Sequence, residues 1–454
     1  MKIASLTRAT LLVSAMALLP ATTVGFATVD SRSGMQFGKL AAIYRLVKEN
    51  YVEPVDDDKL LKGAINGMLS SLDPHSSFLD GSGLQRLETM IDGNYSGLGL
   101  SVQMEDGAVK VISPFRGSPA EKAGIKAGDY ITHLDGVLYF ERDLNEAVEK
   151  MRGSAGTNIR LTIFRPGRDE PFDVTVTRGV IDLEPVTWQL TNAVGVITVN
   201  EFSRDVGRDV AGAVQDLRKQ AVATGGLRGL VLDLRSNPGG SLDEAVALSD
   251  LFVTSGDIVS QRGRITSENQ FYRAETMFKG DIAKDLPLIV LIDAGSASAS
   301  EIVAGALQDH RRAVIMGERS FGKGSVQSLI GLDRTSAIKL TTARYFTPSG
   351  HSVQEGGIEP DIRVPQISDS DARARSERTV RESDLRGHLI NEISLDDKKL
   401  EADRKDDPRF AMTAEQLKAK GITDFQLHYA IETLRRADAP TVLAARRRQG
   451  AKSP

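Results

Sequence analysis

Three serines stand two residues apart in the run Ile292-Asp293-Ala294-Gly295-Ser296-Ala297-Ser298-Ala299-Ser300-Glu301. The apolar stretch Leu288 to Ile292 has the length of a buried strand, and the helical pattern Ala299 to Gln308 follows. A strand, a turn of small residues and a helix start therefore meet at Ser298, at the carboxyl end of a strand, where α/β layers carry their active sites. Main-chain amides and the positive end of the helix lie beside a hydroxyl so placed. Those amides would stabilise the oxyanion formed when the hydroxyl attacks a carbonyl. A plainer meaning competes. Ser298 and Glu301 form the capping-box pattern S-x-x-E, and spacing alone favours a cap. Ser241 with Glu244 repeats the pattern at the preceding helix and reads there as a cap.

A serine hydroxyl is a poor nucleophile without a base. No G-x-S-x-G elbow occurs. His310 falls about three turns along the same helix, roughly 18 Å from Ser298 at 1.5 Å per residue, and reads as a surface residue. Ser320-Phe321-Gly322-Lys323 matches S-x-x-K, but that motif needs a helix, and Gly322 and Gly324 flank the lysine. Lys323 instead belongs to a loop of small residues after a strand predicted over Ala313 to Met316. To serve as a base it must be neutral, which means lowering its pKa from about 10.4 toward 7 or 8 at a cost of about 4 kcal/mol. Phe321 and Val326 offer an apolar surround, and Gln327 could orient the amine. Taken alone, Lys323 reads equally well as a solvated loop lysine.

The elements that must position these residues are spread along 454 residues, enough for two or three domains. Hydrophobic residues make up 41% and charged residues 26%, an ordinary globular composition. With a net charge of -4 and no basic half, nucleic acid is not expected as a partner. The chain has no cysteine, and its six histidines share no helical-face spacing, so disulfides, thiolate catalysis, a metal site and a cofactor are not expected. Lys2 and Arg8, then an apolar run from Ala9 to Leu19 and small residues around Ala27, read as a signal peptide over 1–27. Residues 28–92 read as helical, with Pro54 and Asp56-Asp57-Asp58 separating two helices. Residues 93–180 carry short strands and turn glycines, a small β-rich module with one helix near 143–151. Residues 181–366 alternate buried strands, such as Leu230 to Leu234, with helices, an α/β layer. Residues 367–454 begin as a charged linker and end in a helix predicted over Thr413 to Arg436.

Several separate blocks between residues 40 and 365 resemble the carboxyl-terminal processing protease family of serine peptidases. They are Asn50-Tyr51-Val52-Glu53-Pro54-Val55, Leu72-Asp73-Pro74-His75-Ser76-Ser77, Leu232-Asp233-Leu234-Arg235-Ser236-Asn237-Pro238-Gly239-Gly240, Ser296 to Glu301, Phe321 to Gln327, and Tyr345-Phe346-Thr347-Pro348-Ser349-Gly350, in the family's order. The resemblance implies a crotonase-like α/β peptidase core with an inserted PDZ domain and helical N- and C-terminal regions. It implies Ser298 as nucleophile, Lys323 as general base 25 residues on, and Gln327 as the residue that positions the lysine. Gly239, Gly240 and Ala299 resemble the oxyanion hole. Gly97, Leu98, Gly99 and Leu100 correspond to the loop that captures a terminal carboxylate, with the peptide adding as a strand to the sheet edge. Gly117-Ser118-Pro119-Ala120 continues the PDZ pattern.

The implied function is a secreted, periplasmic endopeptidase that takes protein substrates by their C-terminal tails. Two other classes stay open: a non-catalytic PDZ scaffold and a crotonase-like ligand-binding protein. Family members in Gram-negative envelopes often work with a lipoprotein adaptor, which the resemblance permits, and the terminal helical regions are candidates for adaptor or homo-oligomer contacts.

Overall fold

A computed structural model describes residues 31–436 apart from 82, 85–86, 88–93, 106, 115–117, 127, 140–143, 169, 183–184, 275–279, 334, 369–380, 386 and 392–411. The expected signal peptide and Gly117 lie outside the described residues, as does most of the charged linker. No described helix is long and apolar enough to cross a membrane.

The chain divides into two units, Met1–Gly67 and Met68–Pro454. The first holds helix α1 (Ser31–Asn50) and most of α2 (Asp57–Ser70), whose last residues belong to the second. The acidic run between them starts α2: Asp56 Oδ1 accepts the Lys59 N–H at 2.9 Å, and Asp57 receives the Tyr44 hydroxyl and the Lys48 ammonium. The helical stretch expected over 28–92 is interrupted after α2, and residues 88–92 of it lie outside the described residues. In the larger unit Pro74 has no N–H to offer, and Asp73 Oδ1 takes the amides of His75 and Ser76 at 2.8 and 2.9 Å, a local turn that separates α2 from the strand after it. Strand β1 (Ser77–Leu79) follows.

The β-rich module begins with β2 (Asn94–Gly97), which pairs with β9 (Gly179–Asp182) and so brings its two ends together. Between them β3 (Leu100–Glu105), β4 (Ala108–Pro114), β5 (Tyr130–Leu134), β7 (Asn158–Phe164) and β8 (Phe172–Thr177) form an antiparallel sheet in that order, with β6 (Val137–Leu138) paired to β5. Helices α3 (Pro119–Lys122) and α4 (Leu144–Met151) accompany it. Its own core gathers Leu98, Val111, Ile131, Leu161 and Met151. Because β3 is an edge strand, one side is open to an added strand.

The central sheet of the larger unit runs β10 (Val186–Thr191), β11 (Val194–Val199), β12 (Gly229–Asp233), β15 (Leu288–Ile292), β16 (Val314–Gly317) and β19 (Ile362–Arg363), parallel from β11 onward. Its inner strands are unbroken apolar runs because both faces are covered. Leu230 and Leu232 enter one core with α5 (Val206–Ala221), α6 (Leu242–Asp250) and α7 (Ala299–Asp309). Val231, Ile289 and Leu291 enter the other, with Phe425, Ile431 and Leu434. The C-terminal segment predicted as one helix is two, α8 (Ala414–Ala419) and α9 (Phe425–Arg435). The Ile422 N–H folds back to the Leu417 carbonyl, and Asp424 caps the Leu427 amide, so the chain stops and restarts.

A second sheet is built from β1, β18 (Ala337–Phe346), β13 (Asp257–Gly263) and β14 (Gln270–Arg273), with β17 (Ser325–Gly331) hairpinned onto β18. Lys323 precedes β17, and Ser298 precedes α7.

Candidate active site

The three serines after β15 have different lives. Ser296 is buried, donating to the Leu234 carbonyl at 2.8 Å and accepting from the Asp293 N–H. Ser300 is buried and donates to the Asn237 carbonyl at 3.0 Å. Ser298 alone keeps exposed surface, and its backbone stands at φ 55°, ψ -111°. Such a conformation costs a non-glycine residue about 1–3 kcal/mol and is held only where neighbours determine it. Ser298 is the N-cap residue of α7, with no cap hydrogen bond to its hydroxyl. Glu301 reaches back to the Ser298 N–H at 2.8 Å, but the Glu301 amide bonds the Ser298 carbonyl at 2.9 Å rather than the hydroxyl. At α6 the Ser241 hydroxyl does take the Glu244 amide, at 3.3 Å, while the Glu244 carboxylate serves the amides of Asp205 and Gly207.

Glu301 joins the serine to the lysine. It is fully buried, and its Oε2 accepts both the Ser298 N–H at 2.8 Å and the Lys323 N–H at 2.9 Å, so the two main chains stand no more than two hydrogen-bond lengths apart. Oε1 accepts the Ser320 hydroxyl at 2.6 Å and the Gly322 N–H at 2.7 Å. Burial pushes the Glu301 carboxyl up to about 7 against those four donors. A Glu301→Gln chain would set an amide NH2 against two donors. It is expected to lose about 2–4 kcal/mol of stability, read from a thermal melt at pH 8; an unchanged melt would mean that the turn does not depend on this acceptor. In the sequence Glu301 reads only as part of a cap, and its tie to the lysine turn has no local signature.

Lys323 keeps part of its surface open, yet its amine makes no hydrogen bond or ion pair among the described residues. Desolvation, the largest cause, and then the charge of Lys339 hold it below the ordinary lysine value; Glu382, Glu301 and Asp73 pull the other way. Val326 packs in the core beside it, as the apolar pattern suggests. Gln327 is not bonded to the lysine among the described residues. Its Nε2 donates to Ser325 Oγ at 2.9 Å and Thr341 Oγ1 at 3.3 Å, and its carbonyl oxygen has no donor among the described residues.

The Asn237-Pro238-Gly239-Gly240 turn lies against Ser298, since a Cβ on Gly239 would stand 2.8 Å from that of Ser298. The Gly239 N–H is spoken for by Asn237 Oδ1 at 2.9 Å, and Asn237 is anchored through Nδ2 to the Val199 carbonyl at 2.8 Å. Of the three residues predicted to line an oxyanion hole, Gly240 and Ala299 therefore keep an N–H without an acceptor among the described residues, and Gly239 does not. Arg235 braces the turn, reaching Asp233 at 2.6 Å and Asp424 of the C-terminal region at 2.7 Å.

A polar chain rings the lysine. Thr341 donates to Asp73 at 3.1 Å. Two residues past Asp73, His75 Nε2 sits 2.9 and 2.8 Å from the two oxygens of Glu382, whose side chain is fully buried. Gln354 Nε2 reaches Glu382 at 3.1 Å, and Gln354 Oε1 takes the Gly324 N–H at 3.1 Å. Glu382 and Gln354 were absent from the residues singled out by sequence. Among the described residues no cluster of side chains suits a metal ion.

In the β-rich module, the Leu98 carbonyl accepts the Ala120 N–H at 2.9 Å, which fixes the Gly97–Leu100 turn on α3. The amides of Leu98 and Gly99 donate to no acceptor among the described residues, and both residues are buried next to the open edge of β3.

Comparison with known proteins accords with this geometry. Residues 193–364 match the model of peptidase family S41, residues 111–165 that of a PDZ domain, and residues 20–82 that of the activating protease CtpB N-terminal domain. A carboxy-terminal-processing protease of Bartonella bacilliformis is 46% identical over 354 residues, covering 78% of this chain and 80% of its own length. The carboxy-terminal processing protease CtpB of Bacillus subtilis is 38% identical over 355 residues, covering 77% and 71%. Among solved structures, a photosystem II D1 C-terminal processing protease is 30% identical, covers 78% of this chain and 94% of its own, and superposes with a TM-score of 0.47. The serine turn, the lysine turn and the inserted PDZ module thus sit in a chain that belongs to the carboxy-terminal processing proteases of peptidase family S41, which are serine peptidases.

Proposed function

We propose that this chain is an exported endopeptidase that holds protein substrates by their C-terminal tails and cleaves them with a Ser298–Lys323 pair. The observation that carries the reading is the shared acceptor: one buried carboxylate oxygen takes the amides of both residues, while the hydroxyl and the amine stay uncommitted. In the cycle, Lys323 Nζ takes the proton of Ser298 Oγ as that oxygen bonds to the scissile carbonyl carbon. The N–H groups of Gly240 and Ala299 receive the resulting oxyanion, with Gly239 making room for it. The ammonium of Lys323 then protonates the leaving amine; the freed Lys323 amine next takes a proton from water as its oxygen bonds to the acyl carbon, and returns that proton to Ser298 Oγ as the acyl–oxygen bond breaks. Gln327, tethered by Ser325 and Thr341, offers its carbonyl oxygen to orient the amine.

Tail capture falls to the amides of Leu98, Gly99 and Leu100, with the peptide extending β3. The export reading and periplasmic location rest on residues 1–27. Phe37, Leu40, Ile43 and Leu46 leave α1 with an exposed apolar stripe, which supports a contact with an adaptor or a second copy.

A substrate made with a free C-terminal carboxylate and again with a C-terminal amide tests tail capture. Amidation is expected to raise KM about tenfold or more, since the carboxylate loses hydrogen bonds that a neutral amide cannot replace, and to leave cleavage dependent on Ser298. Equal KM for the two forms would remove the tail from the account.

A further inference from the structure

Glu382 follows the peptidase domain by nearly twenty residues, in the charged run Arg381-Glu382-Ser383-Asp384, yet its side chain is fully buried beside the lysine turn. Its amide donates to the Phe321 carbonyl at 3.3 Å. Its carboxylate is gripped by His75 Nε2 through both oxygens and by Gln354 Nε2. Gln354 in turn holds Gly324, so the segments on either side of Lys323 are tied to one buried acid. The stretch beyond Glu382 is docked as well: His388 Nε2 meets Glu355 at 2.7 Å, and Asn391 donates to the Gln354 carbonyl at 2.6 Å.

We propose that Glu382 is a positioning residue of the catalytic lysine: clamped by His75 and Gln354, it fixes the Phe321–Gly324 turn and sets a buried charge beside the amine. The inference rests on Lys323 being the base. The charged groups facing the amine come from four elements: Glu301 on α7, Asp73 before β1, Lys339 on β18 and Glu382 itself. Glu382 is faced in turn by His75 and His388. An acid next to a base that must lose its proton is not neutral bystanding. It favours the ammonium, the form that protonates the leaving amine, while Lys339 favours the free amine that starts the cycle. The two together would keep the lysine able to hold the proton and to release it.

The test reads the lysine itself. The full chain carrying Ser298→Ala, with lysine enriched in carbon-13 at Cε, is titrated by NMR, and Lys323→Arg assigns the resonance. Adding Glu382→Gln is expected to lower the Lys323 midpoint by about half a unit to one unit, and Lys339→Met to raise it. A merely structural Glu382 would disturb neighbouring resonances and leave the midpoint in place. Glu382→Asp keeps the charge but withdraws it by one methylene, and serves if the glutamine chain does not fold; a smaller downward step is expected. An unmoved midpoint in whichever variant retains the parent spectrum overturns the proposal. Failure of Ser298-dependent cleavage in the unsubstituted chain would instead count against the proposed function, because the titration needs no turnover.

Discussion

Lys323→Ala and Ser298→Ala are each expected to lower kcat/KM on a tailed protein substrate by about 10⁴-fold or more, with tail affinity unchanged. The size follows from the division of labour. Ser298 is the one serine of its turn whose hydroxyl is uncommitted, so neither Ser296 nor Ser300 can substitute. The two histidines on the elements around the serine are already engaged. His310, seated at the end of α7, is held on the Asp257 carbonyl at 2.7 Å, and His75 is engaged with Glu382. Because the two groups act in one proton transfer, the double variant should be no slower than either single one. The oxyanion donors and tail capture would remain, so a residual rate above water is expected. Binding of a tail peptide, measured by fluorescence anisotropy, checks that the PDZ module is intact in each variant.

Gly240→Ala is expected to reduce kcat by about 10²–10³-fold with KM little changed, the loss typical of one oxyanion donor. Gly240 stands at φ +144°, and an added Cβ would lie 2.3 Å from the Phe202 carbonyl oxygen and 2.8 Å from its carbon. Phe202 cannot yield. It is buried, its N–H bonds the Gly239 carbonyl at 2.9 Å, and its carbonyl takes the Ser241 N–H at 2.7 Å. The turn must therefore move, carrying the Gly240 N–H away from the place where the oxyanion forms. The strain falls at the end of the sheet and not in its core, so the melting temperature should shift by only a few degrees for a loss of about 1–2 kcal/mol. Unchanged kcat in a folded Gly240→Ala chain would mean that this amide is not a donor to the reaction.

The parts of the site that obey short-range rules were legible in the sequence. Leu288 to Ile292, the small-residue turn and α7 announce themselves as strand, turn and helix, and that alone places Ser298 at a strand end. Lys323 is legible as a loop lysine, but its burial, the charge of Lys339 across the β-hairpin and the acid of chain that returns from far away are not. Glu382 shows the limit most clearly. In a run of arginine, glutamate and aspartate nothing local predicts burial; the partner that buries it, His75, is 307 residues distant. That Asn237 Oδ1 takes the Gly239 amide is likewise not legible in the Asn237-Pro238-Gly239-Gly240 run. The stretch Thr413 to Arg436 reads as one helix in the sequence, and its role as cover for the second face of the sheet emerges only from the paired cores.

The central claim is that Lys323 deprotonates Ser298, and covalent labelling reports on that step without any substrate. A fluorophosphonate probe added to the full chain across pH 5 to 10, with the modified residue located by mass spectrometry, gives the rate at Ser298 directly. The amine is a base only when neutral, and burial holds its proton loss below the ordinary lysine value. The rate should therefore climb with pH through a single ionisation below about 10.4 and level off. Lys323→Ala should abolish the climb and the labelling. Equal labelling of the Lys323→Ala chain, or a rate that ignores pH throughout, would contradict the account.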